Sequence, residues 1–479
     1  MKKAFLQMSM ALVCGGAALV PVQAQVTLIA KGTLTGSAAG ANKDLSGLNY
    51  TLENGARADL LGGLGSGIGH LSGDTFLAVP DRGPNAVPYN SLIDDTASYI
   101  PRVQTIRMNL QKNKGAGLPY TLSPQLVDTT LLASPLPLVY GDGAAYGVPS
   151  GKPALNSFLR HYFTGRSDNF DSSKSSGDVW DARLDPESIR VSNDGLTFFI
   201  SDEYGPYVYQ FLRRSGERIR TFELPKGFAV AHPGTTTSNE LATNSAGRVP
   251  NKGMEGLALT PNGRTLVGIL QTATIEDTNA GGAGASLLRM AVIDIVSGKT
   301  VHEYGYLLTT GSGVSDIVAL NDHEFLVDER DGKGLGDGSK AKVKQLFKID
   351  LMNATDITGM DGKTAATVAV SKTLFLDLVK VLGANGFAPE QIPAKIEGIA
   401  FGEDINEKGT KIHTLWVAND NDFLQDYGGV VGSNPNQFFV FGFTDADLAG
   451  SKYEPEGHGG PLSGLGWLNG QGEGGPFGW

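Results

Sequence analysis

Five times along the chain one short grammar recurs, and no other feature restricts the possible folds as strongly. Each copy has a small or acidic residue, an apolar strand, a turn, a second apolar strand and a polar cluster rich in carboxylates. The copies run from Ser66 to Arg82, Glu187 to Glu203, Glu255 to Gln271, Asp316 to Glu329 and Glu397 to Asp420. Turns such as Asn193-Asp194-Gly195 and Pro261-Asn262-Gly263 supply residues that tolerate positive φ between two strands, so each copy predicts a β-hairpin. A third, alternating strand follows most hairpins, as at Tyr207 to Phe211 and Gln345 to Ile349, and a fourth usually follows that, as at Arg218 to Leu224 and Thr373 to Leu378. The turns draw on 65 glycines in 479 residues, about twice the usual share.

Four antiparallel strands per repeat, repeated around a centre, define an all-β fold, the β-propeller, with the innermost strand of each blade lining a central channel. Five blades are visible. The place for a degenerate sixth is the segment from Leu136 to Asp185, whose Gly, Ser and Pro read instead as a long inserted loop. The strand at Val26 to Ala30 has no hairpin of its own and is expected to close the last blade as its outer strand. The expected organisation is a signal peptide at 1–24, one propeller domain at 25–445 with its inserted loop at 136–185, and a Gly-rich tail at 446–479. No structure is expected for Gly332 to Ser339.

Lys2-Lys3, the apolar run from Ala11 to Val20 and Val22-Gln23-Ala24 have the basic, apolar and small-residue parts of a secretory leader, with cleavage after Ala24. The expected product is exported, periplasmic or extracellular. The single cysteine, Cys14, falls in that leader, so no disulfide is expected and packing or a bound metal must hold the fold. A net charge of -11 disfavours a nucleic-acid partner, which requires a basic patch. No later stretch is apolar enough to span a membrane.

The start of the first strand and the end of the second lie at one end of a hairpin. That places Glu187, Glu255, Asp316 and Glu397, with Asp202, Glu203, Asp328, Glu329 and Asp420, around one mouth of the channel. So many carboxylates repel unless a cation neutralises them. A divalent metal held by Glu187, Asp202, Glu255, Asp316, Asp328, Glu397 and Asp420 answers this, and Ca²⁺ suits an all-oxygen set without histidine. Arg82, Arg330 and Lys252 stand beside these acids as candidate substrate-binding groups for an anion. The same recurrence also fits acids that simply cap backbone groups or join neighbouring blades. G-x-S-x-G, Walker A, G-x-G-x-x-G and H-E-x-x-H motifs are absent from the sequence.

Asp185-Pro186-Glu187-Ser188, Ser201-Asp202-Glu203-Tyr204-Gly205, Gly253-Met254-Glu255-Gly256-Leu257-Ala258, Asp328-Glu329-Arg330-Asp331-Gly332, Lys395-Ile396-Glu397-Gly398-Ile399-Ala400 and Ala418-Asn419-Asp420-Asn421 together resemble the phytase-like family, described by an esterase-like activity of phytase. The resemblance runs from about Gly62 to Phe443. It implies a secreted propeller that hydrolyses phosphate or carboxylic esters of a small-molecule substrate. The first copy departs from the pattern with Ser66 in place of an acid, and the third ends in Gln271. The expected mechanism is metal-assisted hydrolysis, with Glu203 or Glu329 as general base and Arg82 and Arg330 holding the anion. Two other readings are a non-catalytic propeller that binds a partner or a structural ion, and a lactonase.

Overall fold

Each of the five repeats forms a four-stranded antiparallel sheet whose strands are ordered from the channel outward. In the computed structural model, which describes residues 26–34, 43–85, 96–141, 143–144, 147–205, 207–425 and 432–457, the blades follow the chain. Blade 1 comprises Gly67–Ser72, Thr75–Val79, Arg102–Lys112 and Tyr120–Leu131. Blade 2 comprises Pro186–Val191, Thr197–Asp202, Val208–Leu212 and Arg218–Phe222, and blade 3 Met254–Leu259, Thr265–Leu270, Leu287–Asp294 and Lys299–Leu307. Blade 4 comprises Gly313–Ala319, Glu324–Arg330, Lys344–Asp350 and Lys372–Asp377. Blade 5 takes Lys395–Glu407, Thr410–Asp420 and Asn436–Phe443 from the end of the chain and Thr27–Leu34 from its beginning. The fold is a five-bladed propeller. The expected signal peptide and most of the Gly-rich tail lie outside the described residues.

Closure follows from pairing. Thr27 lies opposite Gly442 and Leu34 opposite Asn436, so the N-terminal strand is the outer strand of the last blade. The innermost strands touch in cyclic order, the fifth against the first.

Alternation along the strands decides where the core sits. Phe198 and Phe199 are neighbours in one strand, yet Phe198 packs with Leu77, Val79 and Val103 of blade 1 whereas Phe199 packs with Leu257, Leu266 and Ile293 of blade 3. The remaining interfaces are filled the same way, including Met290 and Val267 against Phe325 and Ile349 between blades 3 and 4, Leu346 against Phe439 between blades 4 and 5, and Phe76 against Trp416 between blades 5 and 1. Each fully buried Phe or Leu contributes about 2 kcal/mol, and this packing stabilises the ring without a disulfide.

The segment 136–185 forms no sixth blade. Among its described residues the β-strand structure is the two-residue strand His161–Tyr162, which pairs with Ala133–Ser134 as a separate two-stranded sheet outside the five blades. The loop from Gly332 to Ser339, expected to be unstructured, is anchored instead: Leu335 is buried and its N–H donates to the Ile392 carbonyl at 2.8 Å. Residues 446–457 lie on the propeller, where Tyr453 packs on Phe401 and His413. No helix among the described residues is long and apolar enough to cross a membrane.

Candidate functional site

The site grows out of irregularities in the inner strands. In blades 2 to 5 the register slips near the start of the inner strand, between Pro186 and Ile189, Met254 and Gly256, Val314 and Asp316, and Ile396 and Ile399. A bulge releases a residue from the ladder and re-aims its side chain. The released positions are occupied by Glu187, Glu255, Ser315 and Glu397. The three glutamates line one cavity at the channel mouth, and Ser315 Oγ accepts a hydrogen bond from Arg330 Nε.

A second ring comes from the strand beside each inner strand. Pro186 pairs with Asp202, Met254 with Leu270, Val314 with Glu329 and Ile396 with Asn419. The next residues are Glu203, Gln271, Arg330 and Asp420, and Asp81 holds the same place in blade 1, where Gly67 pairs with Val79. All five line the same cavity, which encloses about 150 Å³. Arg82, Asn251, Lys252 and Lys395 complete much of its wall.

Successive side chains of a strand point to opposite sides, so the residues one place earlier turn away from the mouth. The Asp202 carboxylate accepts from the backbone N–H groups of Asp185, Tyr204 and Gly205 at 3.0, 3.0 and 3.1 Å. Burial pushes it up to about 7 despite those bonds. Glu329 faces Lys372, the Thr310 hydroxyl at 2.7 Å and the Thr309 N–H at 3.1 Å. Burial opposes its charge, but Lys372 and Thr310 hold its carboxyl below the usual range.

Asp316 lies one layer deeper. Alignment by residue type groups it with Glu187, Glu255 and Glu397, but the register puts Ser315 at that position and Asp316 beside Gly256 and Gly398. A Cβ on Gly256 would come within 2.9 Å of the Asp316 carbonyl carbon, and one on Gly398 within 2.9 Å of the Ile68 nitrogen. Gly256 therefore makes room for the Asp316 backbone, and Gly398 for the inner strand of blade 1. Its carboxylate accepts from Ser188 Oγ and Arg190 Nη2 at 2.8 Å each and from the N–H groups of Ile317 and Ile399 at 2.9 and 3.1 Å. Asp328, its cross-strand neighbour, lies off the cavity wall, with both oxygens buried and unpartnered. Burial holds its carboxyl well above the usual range, against the pull of Arg330 and Lys344.

At the mouth, six acids and four cations line the cavity, so acids outnumber basic groups by two. Arg330 pairs with Glu397 and lies 3.9 Å from Glu255. Lys395 pairs with Asp420 at 3.0 Å and with Asp422. Arg82 donates twice to Asp185, from its N–H at 3.0 Å and from Nη1 at 2.6 Å. Lys252 donates to the Gln271 side chain. Glu203 Oε1 and Glu255 Oε2 receive no hydrogen from any other described group although both residues are at most 2% exposed, and the two carboxyls lie within hydrogen-bonding reach of each other, so that one proton can be shared between them. Burial raises both carboxyls, as do charged neighbours, Asp185 for Glu203 and Glu203 itself for Glu255. Burial and then Glu255 raise Glu187 well above its ordinary value. Burial, partly offset by Lys395, lifts Asp420 to about 7.

Among the described residues, two groups of carboxylates could hold a metal ion. One oxygen each from Asp185, Glu187 and Glu203 lie within 4.8 Å of one another, and so do oxygens from Asp81, Asp420 and Asp422. An all-oxygen set suits a hard cation. The structure thus brings Glu187, Glu203, Glu255, Glu397, Asp420, Arg82, Arg330 and Lys252 to one cavity and leaves Asp202, Asp316, Asp328 and Glu329 outside its wall. Asp81, Asp185, Lys395 and Asp422 join the site without having been singled out from the sequence. Asp81 could have been found there, because it ends its hairpin at the place where Glu203 and Asp420 end theirs.

A family model described as Phytase-like, esterase-like activity of phytase, matches residues 59–423, and the chain belongs to that family. A protein of Arthroderma benhamiae, described as an uncharacterized secreted protein, is 25% identical over 453 residues, covering 81% of this chain and 83% of its own length. Among solved structures, hydrazine synthase of Kuenenia stuttgartiensis is similar at 13% identity and a TM-score of 0.28, over 79% of this chain and 80% of that one. The PQQ-bound aldose sugar dehydrogenase of Streptomyces coelicolor is similar at 12% identity and a TM-score of 0.27, over 86% of this chain and 97% of that one.

Proposed function

We propose that this member of the phytase-like family is an exported, metal-dependent hydrolase of phosphate or carboxylic esters that works at the acidic mouth of its channel. The observation that carries the reading is the pair of adjoining buried carboxyls, Glu203 and Glu255, to which no other described group donates at Oε1 and Oε2, in a cavity that also presents Arg82, Lys252 and Arg330. A buried carboxylate without donors is costly, and a cation bound there removes the cost. Asp185, Glu187 and Glu203 would hold the ion, since Lys395 neutralises two of the three acids in the other group, Asp420 and Asp422, whereas Arg82 engages only Asp185 in this one. Oxygen donors favour Ca²⁺, with a dissociation constant of roughly 10⁻⁴–10⁻³ M for a module working outside the cell. When bound, such an ion polarises an ester oxygen and acidifies water.

The chain's own groups would do the rest. Glu255, relieved of the proton it shares with Glu203 once an ion holds that neighbour, takes a proton from the attacking water and returns it to the leaving oxygen. Arg330 and Lys252, on the same side as Glu255, orient the anionic part of the ester. Asp202, Asp316 and Glu329 serve the scaffold in this reading, and Asp328 has no part in it. Export is supported by the leader-like N-terminus and by the description of the fungal relative.

The test is a calorimetric Ca²⁺ titration together with turnover of p-nitrophenyl phosphate and p-nitrophenyl acetate, with and without chelator. Saturable binding is expected, with turnover of at least one ester falling about 100-fold or more in chelator or in Glu203→Gln, the size of a lost electrostatic stabiliser. Turnover unchanged by chelator, or no ion bound, overturns the reading. Ion binding with neither ester turned over leaves the non-catalytic propeller.

A further inference from the structure

The inserted segment 136–185 forms no blade, yet it contains a turn that the fold holds in place and leaves bare. Ser157 and Arg160 exchange backbone hydrogen bonds at 2.9 and 3.4 Å, which puts Phe158 and Leu159 at the tip. The turn is fastened on both sides. The Tyr162 N–H donates to Asn156 Oδ1 at 2.9 Å, and Arg160 Nη2 donates to the Ser215 carbonyl of blade 2 at 2.5 Å. Phe158 is nonetheless 90% exposed and Leu159 68%. Leu155, just before the turn, is exposed too, as are Leu196 and Leu212 on the adjoining turns of blade 2. Those two turns are tied together where the Arg213 N–H donates to the Leu196 carbonyl at 2.9 Å.

An ordered tip that offers two large apolar side chains to water marks a contact surface, and its surroundings select the partner. In the turns 152–161, 193–197 and 212–217 the basic residues Lys152, Arg160, Arg213 and Arg214 face only Asp194 and Glu217, in a chain whose net charge is -11. Arg160 and Arg213 spend hydrogen bonds on carbonyls, of Ser215 at 2.5 Å and Gly195 at 2.6 Å, so these bonds leave their charge uncancelled. A protruding apolar tip among bases has the form that enters the headgroup region of a negatively charged bilayer. Its place also suits such a surface. Val208 lies opposite Ser201 and Leu212 opposite Thr197, so Leu196, Arg213 and Arg214 stand at the ends of these strands farthest from Glu203 and the mouth.

We propose that the Phe158–Leu159 tip is a membrane-docking anchor, which inserts into an anionic lipid surface while Arg160, Arg213 and Arg214 engage the lipid phosphates. It holds the exported protein beside a membrane with the channel mouth uncovered. The inference needs neither the metal nor the hydrolase reading.

The experiment sediments the mature protein with vesicles of equal parts phosphatidylglycerol and phosphatidylcholine and, in parallel, of phosphatidylcholine alone. Binding about tenfold tighter to the anionic vesicles is expected, and added salt should weaken it. The double variant Phe158→Ser, Leu159→Ser should lose about tenfold or more in affinity, and Arg214→Glu about fivefold or more. Leu45→Ser serves as a control, since Leu45 is also exposed but lies beside Thr129, at the mouth end of the outer strand of blade 1; it should change binding by less than about twofold. Absence of binding to the anionic vesicles, unaltered binding in the double variant or in Arg214→Glu, or an equal loss in Leu45→Ser overturns the proposal. So does self-association of the free protein that the double variant abolishes while vesicles bind neither form, which assigns the tip to a second copy of the chain. Because no ester or metal enters the measurement, failure of the hydrolase reading leaves its result unaffected.

Discussion

The mouth of the channel and the layer just beneath it both bury carboxylates, and they treat them in opposite ways. Asp316, on the axis, receives hydrogen bonds from a serine, an arginine and backbone N–H groups contributed by different blades. One layer up, Glu203 and Glu255 are as deeply buried, yet each keeps an oxygen to which no described group outside the pair donates. Arg190 ties the lower layer together: it also donates to the carbonyls of Ile68 and Ile317, so one guanidinium joins blades 1, 2 and 4. A satisfied buried charge behaves as a structural rivet, whereas an unsatisfied one costs stability that only a ligand returns.

The contrast can be broken most forcefully at its lower layer. Asp316→Ala leaves Arg190 buried and unpaired and should cost about 3–5 kcal/mol, read as a fall in the urea midpoint. Should the midpoint hold, the axis is not a rivet.

A smaller effect is expected from pH. Asp420 titrates at about 7 in the folded protein, above its ordinary value, so the folded state binds the extra proton. Its stabilising contribution is complete below about pH 4 and is lost as pH rises through 7. In chelator, wild type should therefore lose about 2 kcal/mol more than Asp420→Asn between pH 5 and 7.

Glu329→Gln sharpens the comparison from outside the channel. Loss of the charged contact with Lys372 should cost about 1–2 kcal/mol while p-nitrophenyl ester turnover stays within about twofold. A large loss of turnover would return Glu329 to the catalytic candidates. The smallest change carries the opposite sign: Glu203→Gln or Glu255→Gln should stabilise the chelated protein by about 1 kcal/mol by removing like-charge repulsion. Destabilisation would show that the mouth is already satisfied.

The propeller could be read from sequence because its signals are local: turn residues, alternation and a repeat that copies both. Even the closing strand was visible, as an apolar segment with no partner nearby. The site was legible only to within one residue, and one residue is the distance between opposite faces of a strand. Asp202-Glu203 and Asp328-Glu329 look equivalent as acidic pairs, but the ladder sends Glu203 to the cavity and Glu329 to Lys372. The bulges that set this register carry no residue signature, since Ser315 and Glu255 occupy the same released position.

The pairing of Thr27–Leu34 with Asn436–Phe443 also sets a timetable. A ribosome makes the first of these strands hundreds of residues before its mate, so the opening segment must wait, unpaired and largely apolar, until almost the whole polypeptide exists. Blade 5 can finish only after the segments of the other four have been synthesised, and the pairing that makes the molecule a circle joins strands that lie about 400 residues apart.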